Sequence, residues 1–446
     1  MTLLTRLSDE LWSPWLILLC FSTGLLYSFG TGFFQIFGLR RWLGSTLGSL
    51  FHRNRTGVGV SPVAALAAAL ASTMGTGSIA GVAAAITMGG PGAVFWMWLT
   101  ALLGMMTSYG EKYLTILYQQ PAPRGGRAGG PMFYIREGLH RPGLARLFAL
   151  AALPAALAGG AMIQSRAIAS TLHTSFGLPP LGVGLVVGGL AALVIAGGMG
   201  RISRLASALV PLMSLLYLGS GLFILLTQAR LLPQVFSLIF TCAFRPEAAL
   251  GSLGGYSLLT AIRQGVSRGI FTNEAGLGTS AMAHGSAEDT TPHQQGMWGI
   301  FEVFVSTLLV CTVTALVILV SGLWLPGAEI QPTGAALTAV AFSHVLGPLG
   351  GRIVSLSLTP FAFTSILGWS YYAVQALSCF TLQSVHHSLY FCLFCAAILL
   401  GAVWGENFLW VLVDIFTALM ALPNLIALIF LSPKVFRGFS HFSTPN

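Results

Sequence analysis

Residues 61–90 read SPVAALAAALASTMGTGSIAGVAAAITMGG, an apolar stretch interrupted at Gly75-Thr76-Gly77. Residues 251–284 read GSLGGYSLLTAIRQGVSRGIFTNEAGLGTSAMAH, with a second interruption between Asn273 and Gly278. Each stretch is long enough to cross a hydrocarbon core of ~30 Å, so both are predicted to form membrane helices that break near their middle. Corresponding glycine interruptions in the two halves of a chain are typical of inverted-repeat transporters.

The composition of the whole chain indicates a polytopic membrane protein. Of its 446 residues, 55% are hydrophobic and only 7% are charged, whereas a soluble domain carries roughly 25% charged residues. Backbone polar groups in lipid must be satisfied within each segment, so the pattern predicts an all-α bundle of about 11 transmembrane helices. The apolar segments lie at approximately 11–38, 61–88, 92–118, 144–176, 181–198, 204–228, 251–284, 296–323, 350–380, 386–404 and 407–431.

The basic residues predict the orientation of this bundle. They are concentrated in alternate loops, at residues 40–55, 124–146, 201–204 and 434–437. Cytoplasmic loops carry an excess of arginine and lysine, so we expect the N-terminus outside and the C-terminus in the cytoplasm of a multi-pass protein in a bacterial inner membrane. The net charge of +9 therefore reflects topology in a lipid bilayer and does not indicate a nucleic-acid partner.

The two broken segments divide the chain into two repeats. We expect an extra N-terminal transmembrane helix and a basic cytoplasmic loop in 1–60, a first five-helix repeat in 61–228 and a second in 251–431. Residues 229–250 are then a connector, and residues 432–446 a cytoplasmic tail.

Each break in a helix creates a site for polar ligands. Free N–H groups at one half-helix end bind a carboxylate, and free carbonyl groups at the other coordinate a cation. Gly75, Thr76 and Gly77 are thus candidates for binding a substrate carboxylate through their N–H groups. The alternative is that these small residues merely allow close helix packing, which explains the nearby Ser72 and Ser78 poorly.

Long motifs in the chain resemble the alanine-or-glycine:cation symporter family. GTGSIAGVAAAITMGGPGAVFWMWLTALLGMMTSYGEKYL (75–114) is similar to its first core helix and the next. RGIFTNEAGLGTSAMAH (268–284), FAFTSILGWSYY (361–372) and VDIFTALMALPNLIAL (413–428) resemble its sixth, eighth and last core helices. The resemblance implies a five-plus-five inverted repeat similar to the bacterial leucine transporter, with one extra N-terminal helix. It also implies import of alanine, glycine or a similarly small amino acid, with sodium as the co-transported cation and no other cofactor.

The resemblance also implies a set of substrate-binding residues on the two breaks and on two further helices. The second break would supply carbonyl groups for the substrate ammonium and an aromatic lid over a small side chain. A lone tryptophan in a membrane helix is otherwise a packing residue or an interface anchor. The implied residues are Gly75, Thr76, Gly77, Ser78, Gln164, Phe271, Thr272, Asn273, Gly276 and Trp369.

Two adjacent hydroxyl residues predict a sodium site. Thr364 and Ser365 could each donate a side-chain oxygen, and the resemblance implies that the backbone carbonyls of Ala71, Met74 and Phe361 complete the shell. The alternative is that both hydroxyls bond to a carbonyl one turn earlier in their own helix.

Departures from the family pattern bear on the coupled ion. Ser78 replaces a usual asparagine, Ser306 and Val374 replace usual carboxylates, and Arg166 stands where asparagine is more typical. Because these changes remove oxygen ligands, we predict that at most one sodium ion is coupled, with a proton-coupled or weakly ion-coupled carrier as the alternative. Arg166 is expected to pair with an acid such as Glu302 or Asp414, or to extend toward an interface.

Buried acids mark functional or paired positions. Glu111, Glu274, Glu302 and Asp414 lie in or near the apolar segments, and we expect Glu274 to act beside the break as a gate or as the partner of Arg268. The sequence contains neither a His-Glu-x-x-His string nor an ATP-binding Gly-x-x-x-x-Gly-Lys motif, which argues against an enzyme. An ion channel would not need two broken helices.

A pair of cysteines has the spacing of a metal or redox site. Cys392-x-x-Cys395 lies in YFCLFCAAILL, which holds no histidine, aspartate or third cysteine. Buried thiols are the preferred interpretation of this pair, with a metal or redox site as the alternative.

Overall fold

The computed structural model describes residues 2–51, 60–122, 126–245, 257–324, 333–380 and 383–443, and most of them are helical. Two short strands, β1 (Gln120–Pro121) and β2 (Arg127–Ala128), pair antiparallel. The helices are α1 (Thr2–Leu11), α2 (Pro14–Gly30), α3 (Phe34–Phe37), α4 (Leu39–Phe51), α5 (Pro62–Thr73), α6 (Ala80–Gly89), α7 (Gly92–Leu117), α8 (Pro131–Phe133), α9 (Pro142–Ala155), α10 (Ile163–Phe176), α11 (Pro180–Ile195), α12 (Gly198–Thr227), α13 (Leu232–Phe244), α14 (Leu258–Asn273), α15 (Thr279–His284), α16 (Pro292–Val303), α17 (Thr312–Ser321), α18 (Gly334–Leu346), α19 (Pro348–Leu377), α20 (Ser384–Val403) and α21 (Glu406–Ser443). Single 3₁₀ or π turns occupy Thr76–Ser78, Tyr134–Gly138, Ala156–Met162, Ala229–Leu231 and Phe304–Cys311.

Eight helical runs within the described residues are long and apolar enough to cross a membrane. Each overlaps a predicted segment, so the prediction of an all-α, multi-pass architecture is confirmed. The other three predicted segments correspond to shorter helices, namely the two broken ones and α11. The count of eleven spans and the five-plus-five repeat stay predictions. The eight runs are Leu3–Gly30, Gly92–Leu117, Pro142–Phe176, Gly200–Thr227, Pro292–Ser321, Pro348–Leu377, Ser384–Val403 and Glu406–His441.

The first break separates α5 from α6, where the sequence predicts it. α5 ends at Thr73, and Gly75 has φ −75° and ψ −143°, which is far from helical geometry. One 3₁₀ turn, Thr76–Ser78, follows before α6 begins at Ala80. We call α5, this turn and α6 together the first broken helix.

The second break separates α14 from α15, also at the predicted place. After Asn273 the backbone turns left-handed at Glu274, with φ 54°, and then at Gly276 and Gly278, with φ 90° and 76°. This region is accessible to glycine without steric cost, so the Gly276-x-Gly278 spacing permits the helix to stop and restart at Thr279. α14, these turns and α15 form the second broken helix.

The two broken helices contact each other in the interior of the bundle. α7 packs against α14 and α16 on one side, and α10 and α19 pack together on the other. The outer helices α11, α12 and α20 expose large apolar side chains such as Leu185, Leu215 and Leu389. Such faces match a lipid environment, whereas the residues of both breaks are buried.

The predicted connector and the predicted tail are both helical within the described residues, and residues 246–250 and 444–446 of these two ranges lie outside the described part of the chain. The predicted connector at 229–250 contains α13, a helix too short to span a membrane. The predicted tail at 432–446 instead continues α21 as far as Ser443. Phe436 and Phe439 on this extension pack against Tyr27 and Phe34, with ring centroids 5.5 and 5.1 Å apart. Their helical spacing creates an apolar face that holds the extension against α2 and α3.

Candidate functional site

A side-chain amide on α10 holds the first break. Gln164 is buried, and its Oε1 accepts a hydrogen bond from the Thr76 N–H at 3.1 Å. Its Nε2 donates to the Gly159 carbonyl at 3.0 Å. A Cβ added at Gly75 would lie 2.1 Å from Ser365 Oγ and 2.8 Å from Gln164 Oε1. Only glycine allows α10 and α19 to approach the break this closely.

The second break packs directly on the first. A Cβ added at Gly77 would lie 2.9 Å from Thr272 Oγ1 and 3.3 Å from a ring carbon of Phe271. On the first break, Thr76 Oγ1 is buried and has no hydrogen-bond partner among the described residues. A buried polar group left unpaired costs about 1–3 kcal/mol, so a polar ligand at the first break would gain by pairing with it. Asn273 Nδ2 is also buried without a partner in the described part of the chain, but the Asn273 amide lies beside Gly104 of α7.

Aromatic side chains border the region between the breaks. Phe271 packs edge-on against Trp410, with ring centroids 5.4 Å apart. A Cβ added at Gly159 would lie 3.2 Å from the Phe271 ring and 3.9 Å from the Trp369 ring. One added at Gly160 would lie 2.3 Å from Trp369 Cβ. The structure therefore brings Phe271 and Trp369 to the same place as Gln164 and the first break.

Sequence reasoning missed two parts of this aromatic border. The adjacent glycines Gly159 and Gly160 lie in a π-helical turn between α9 and α10 and make room for the rings. Their only sequence signal is a Gly-Gly pair inside an apolar segment. Trp410 on α21 carries no local signal that distinguishes it from a packing residue.

The predicted sodium ligands form a cluster of oxygen atoms between α5 and α19. Ser365 Oγ donates to the carbonyl oxygens of Ala71 at 2.8 Å and Phe361 at 3.1 Å. Thr364 Oγ1 lies 3.3 Å from the Ala71 oxygen and 3.0 Å from the Phe361 oxygen. Met74 is buried at the end of α5. The bonds to Phe361 are the local back-bonds of the alternative interpretation, whereas the bonds to Ala71 join two different helices.

The remaining predicted substrate residues bond to protein groups. Ser78 Oγ donates to the Gly75 carbonyl at 3.2 Å, and Thr272 Oγ1 donates to the Arg268 carbonyl at 2.8 Å. The Gly276 carbonyl accepts from Asn424 Nδ2 at 2.9 Å. Gly276 is thus turned toward α21 and is not brought together with Thr76 and Phe271.

The predicted pairing of Glu274 with Arg268 is wrong. The Arg268 guanidinium makes two hydrogen bonds to the Asp414 carboxylate, at 2.9 and 2.8 Å, and lies 4.1 Å above the Trp410 ring. Glu274 Oε2 instead accepts from Thr279 Oγ1 at 2.6 Å. Arg268 faces α21 from within α14, whereas Glu274 lies beyond the end of α14, next to α15.

Arg166 pairs with neither Glu302 nor Asp414, the two acids named as examples. The acid with which it interacts electrostatically is Glu406. Arg166 Nη1 donates to the Ala402 carbonyl at 3.4 Å, near the end of α20. Glu302 contacts Lys112 at 3.3 Å instead, and Asp414 is held by the bidentate pair described above. Gln164 and Arg166 point to different neighbours, because residues two apart on a helix lie about 200° apart around its axis.

A carboxylate that sequence reasoning did not assign holds the second break. Glu111 Oε1 accepts from the N–H groups of Gly276 at 2.9 Å and Gly278 at 3.0 Å, and from Asn424 Nδ2 at 2.7 Å. Glu111 is fully buried. The sequence shows Glu111 and Lys112 inside an apolar segment. This indicates that the Glu111 carboxylate is buried and paired, but it does not indicate which group is its partner.

Comparison with known proteins gives a consistent family. The model of the sodium:alanine symporter family matches residues 1–445. An uncharacterised transporter of Haemophilus influenzae is 41% identical over 435 residues, covering 96% of this chain and 93% of that protein. The sodium/alanine symporter AgcS of Methanococcus maripaludis is 37% identical over 439 residues, covering 97% of this chain and 95% of that protein. A Bacillus subtilis protein, YrbD, named as a candidate sodium/proton-dependent alanine carrier, is 36% identical and covers 96% of this chain and 89% of that protein.

Proposed function

We propose that this chain, which belongs to the sodium:alanine symporter family, imports alanine, glycine or a similarly small amino acid together with sodium. Its family makes it a cation-coupled amino-acid transporter rather than an enzyme. The proposed setting is a bacterial inner membrane, with the N-terminus outside and the C-terminus in the cytoplasm. In this orientation the basic loops face the cytoplasm.

The contact between the two breaks carries the proposal. The Thr76 N–H lies at a helix break, held by an amide that a carboxylate can replace. Thr76 Oγ1 is buried without a partner in the described part of the chain. The substrate carboxylate would bind at Gly75, Thr76 and Gly77, and its ammonium would bind at the carbonyl end of α14.

The aromatic border supports the choice of a small substrate. Phe271 and Trp369 are both buried and occupy the space that Gly159 leaves beside the first break. We infer that these rings leave room for only a small side chain. One extra methylene is worth only ~1–3 kcal/mol of discrimination, so serine is expected to compete weakly and leucine hardly at all.

The oxygen cluster at Thr364 and Ser365 supports the choice of sodium. Hard cations prefer hydroxyl and carbonyl oxygens, and the Ala71 and Phe361 carbonyls lie within 3.3 Å of these two hydroxyl oxygens. This site joins α5 to α19, so ion binding there would fix the helix whose end forms the first break. A proton-coupled carrier is the second candidate, and the buried acids around Lys112 favour it.

Uptake into proteoliposomes tests the proposed function. We expect uptake of labelled alanine that saturates, shows counterflow, and is competed by glycine but not by leucine. Counterflow distinguishes a carrier from a channel. Equal competition by leucine would contradict the proposed size selection, and the failure of every small amino acid to be carried would contradict the function itself.

A further inference from the structure

A buried ionic cluster lies at the end of α15. It consists of Glu111, Lys112, His284 and Glu302, whose side chains are all fully buried. Lys112 Nζ lies 3.3 Å from Glu302 Oε2 and 3.5 Å from Glu111 Oε2. His284 Nε2 lies 3.2 Å from the same Glu302 oxygen. The cluster joins the second half of the second broken helix to α7 and α16.

The charges of this cluster do not balance. Glu111 and Glu302 face a single ammonium group, and the buried carboxyl group of Glu274 lies close enough to interact with them electrostatically. An uncompensated buried charge is costly, so such a group gains by binding a proton or a cation. Glu302 Oε1 is buried and has no hydrogen-bond partner among the described residues. The incompletely paired carboxylate of Glu302 therefore lies beside His284, where a positive charge on the imidazole would compensate it.

The other charged members of the cluster are already engaged. Glu111 Oε1 accepts three hydrogen bonds at the second break, as described above. Lys112 Nζ also donates to Ser280 Oγ at 2.6 Å and Ser108 Oγ at 2.8 Å. These bonds occupy Glu111 Oε1 and Lys112 Nζ. The groups left to change state are His284 and Glu302.

The surroundings of His284 can satisfy both protonation states. Its Nδ1 is hydrogen-bonded to the side-chain amide of Gln295, whose Oε1 lies 3.1 Å from Thr290 Oγ1. With the amide nitrogen facing Nδ1, the imidazole is neutral and donates from Nε2 to Glu302. With the amide reversed, its oxygen accepts from a protonated Nδ1, and the Thr290 hydroxyl accepts from the amide nitrogen. A rotation of the Gln295 amide therefore lets His284 keep its hydrogen bonds in both protonation states.

We propose that His284 and Glu302, supported by Gln295 and Lys112, form a proton-binding site whose occupancy is coupled to the binding of the transported amino acid. This site rests on the proposed transport function but lies outside the predicted substrate and sodium sites. Coupling follows from its position, because the same cluster holds the Gly276 and Gly278 backbone through Glu111. Besides its own Glu111 and Lys112, the titratable groups that interact electrostatically with members of this cluster are Glu274, Tyr27, Tyr134 and Tyr372.

A proton inventory of substrate binding tests this site. The full-length protein in detergent is titrated with L-alanine and with glycine by calorimetry, in buffers of different ionisation enthalpy, from pH 5.5 to 8. We expect the wild type to exchange a fraction of a proton, up to about one, per bound amino acid. His284→Gln should bind the amino acid without exchanging protons. His293→Gln is the matched control, since His293 lies on α16 but contacts Tyr109 at 2.6 Å instead of the cluster, and it should behave like the wild type.

The outcomes separate this proposal from the transport function. Wild-type binding without proton exchange, or equal exchange in His284→Gln, would overturn the proton site and leave the transporter intact. No binding of either amino acid to the wild type would contradict the proposed function instead. If His284→Gln does not bind the amino acid, the same titration of Gln295→Leu tests the proposal. Losing the acceptor for protonated Nδ1 should move the pH of half-maximal exchange down by more than half a unit, and an unchanged midpoint would overturn the proposal.

Discussion

At the first break the Thr76 N–H is held by the neutral amide of Gln164, whereas at the second break the Gly276 and Gly278 N–H groups are held by the carboxylate of Glu111. Hydrogen bonds to an ionised group are roughly twice as strong as neutral ones. The first break is thus held by partners that a substrate carboxylate can replace. The second is anchored by a charge that no substrate needs to displace.

From this difference we propose separate roles for the two breaks. Binding of the substrate carboxylate at the first break would replace one neutral hydrogen bond with a charged one, which would favour the substrate. Glu111 anchors the second break and belongs to the ionic cluster, so a change in the protonation of the cluster would act on the second break. If both breaks were substrate sites of the same kind, substitutions at either would affect binding and stability alike.

The largest effect is expected from a side chain at the first break. Gly75→Val would place its Cβ 2.1 Å from Ser365 Oγ, so we expect alanine uptake to fall more than about 100-fold while membrane insertion persists. Gly81→Ala is the control in the same segment, because its Cβ would meet Trp410 at an ordinary 3.6 Å. Near-normal uptake by Gly75→Val would mean that the first break is ordinary close packing.

A smaller effect, on stability rather than transport, distinguishes the anchoring groups. Glu111→Gln converts three hydrogen bonds to a charged acceptor, from Gly276, Gly278 and Asn424, into neutral ones. At about 1 kcal/mol or slightly more for each bond, this should cost about 3–4 kcal/mol of unfolding free energy. Gln164→Leu leaves only the neutral Thr76 N–H unpaired, which should cost about 1–3 kcal/mol. Thermal unfolding of both variants in detergent without substrate measures the difference. Equal losses would remove the contrast between the two breaks.

The mildest of these changes acts on selectivity at the aromatic border. Trp369→Ala removes a ring that packs on Gly160, so valine should compete with alanine about tenfold better than it does in the wild type. Trp98→Phe is a control, since Trp98 bonds to Thr312 outside the site and its replacement should leave selectivity unchanged. Unaltered competition by valine would indicate that Trp369 is a packing residue.

The sequence predicted both breaks to within a few residues, because glycine clusters in apolar segments permit backbone conformations that end a helix. It also predicted Gln164, Thr364 and Ser365 as neighbours of the first break, through the family resemblance. It did not predict the pairs Arg268–Asp414 and Glu111–Gly276, whose partners lie 146 and 165 positions apart in the chain. A buried charge signals that it needs a partner, but only the packing of helices selects which one.

The sodium dependence of uptake tests the central claim most directly, namely that one ion bound at Thr364 and Ser365 is coupled to a substrate bound between the breaks. Alanine uptake is measured under imposed sodium or proton gradients for the wild type, for the Thr364→Ala, Ser365→Ala double variant, and for Ser370→Ala. Ser370 is the control because its hydroxyl bonds to Leu367 in the same helix at 2.7 Å.

We predict sodium-driven uptake with a Hill coefficient near one in the wild type and in Ser370→Ala, and loss of sodium dependence in the double variant. A coefficient near two, or wild-type sodium dependence in the double variant, would contradict the account. Uptake that ignores sodium and collapses with a protonophore would favour the proton-coupled alternative.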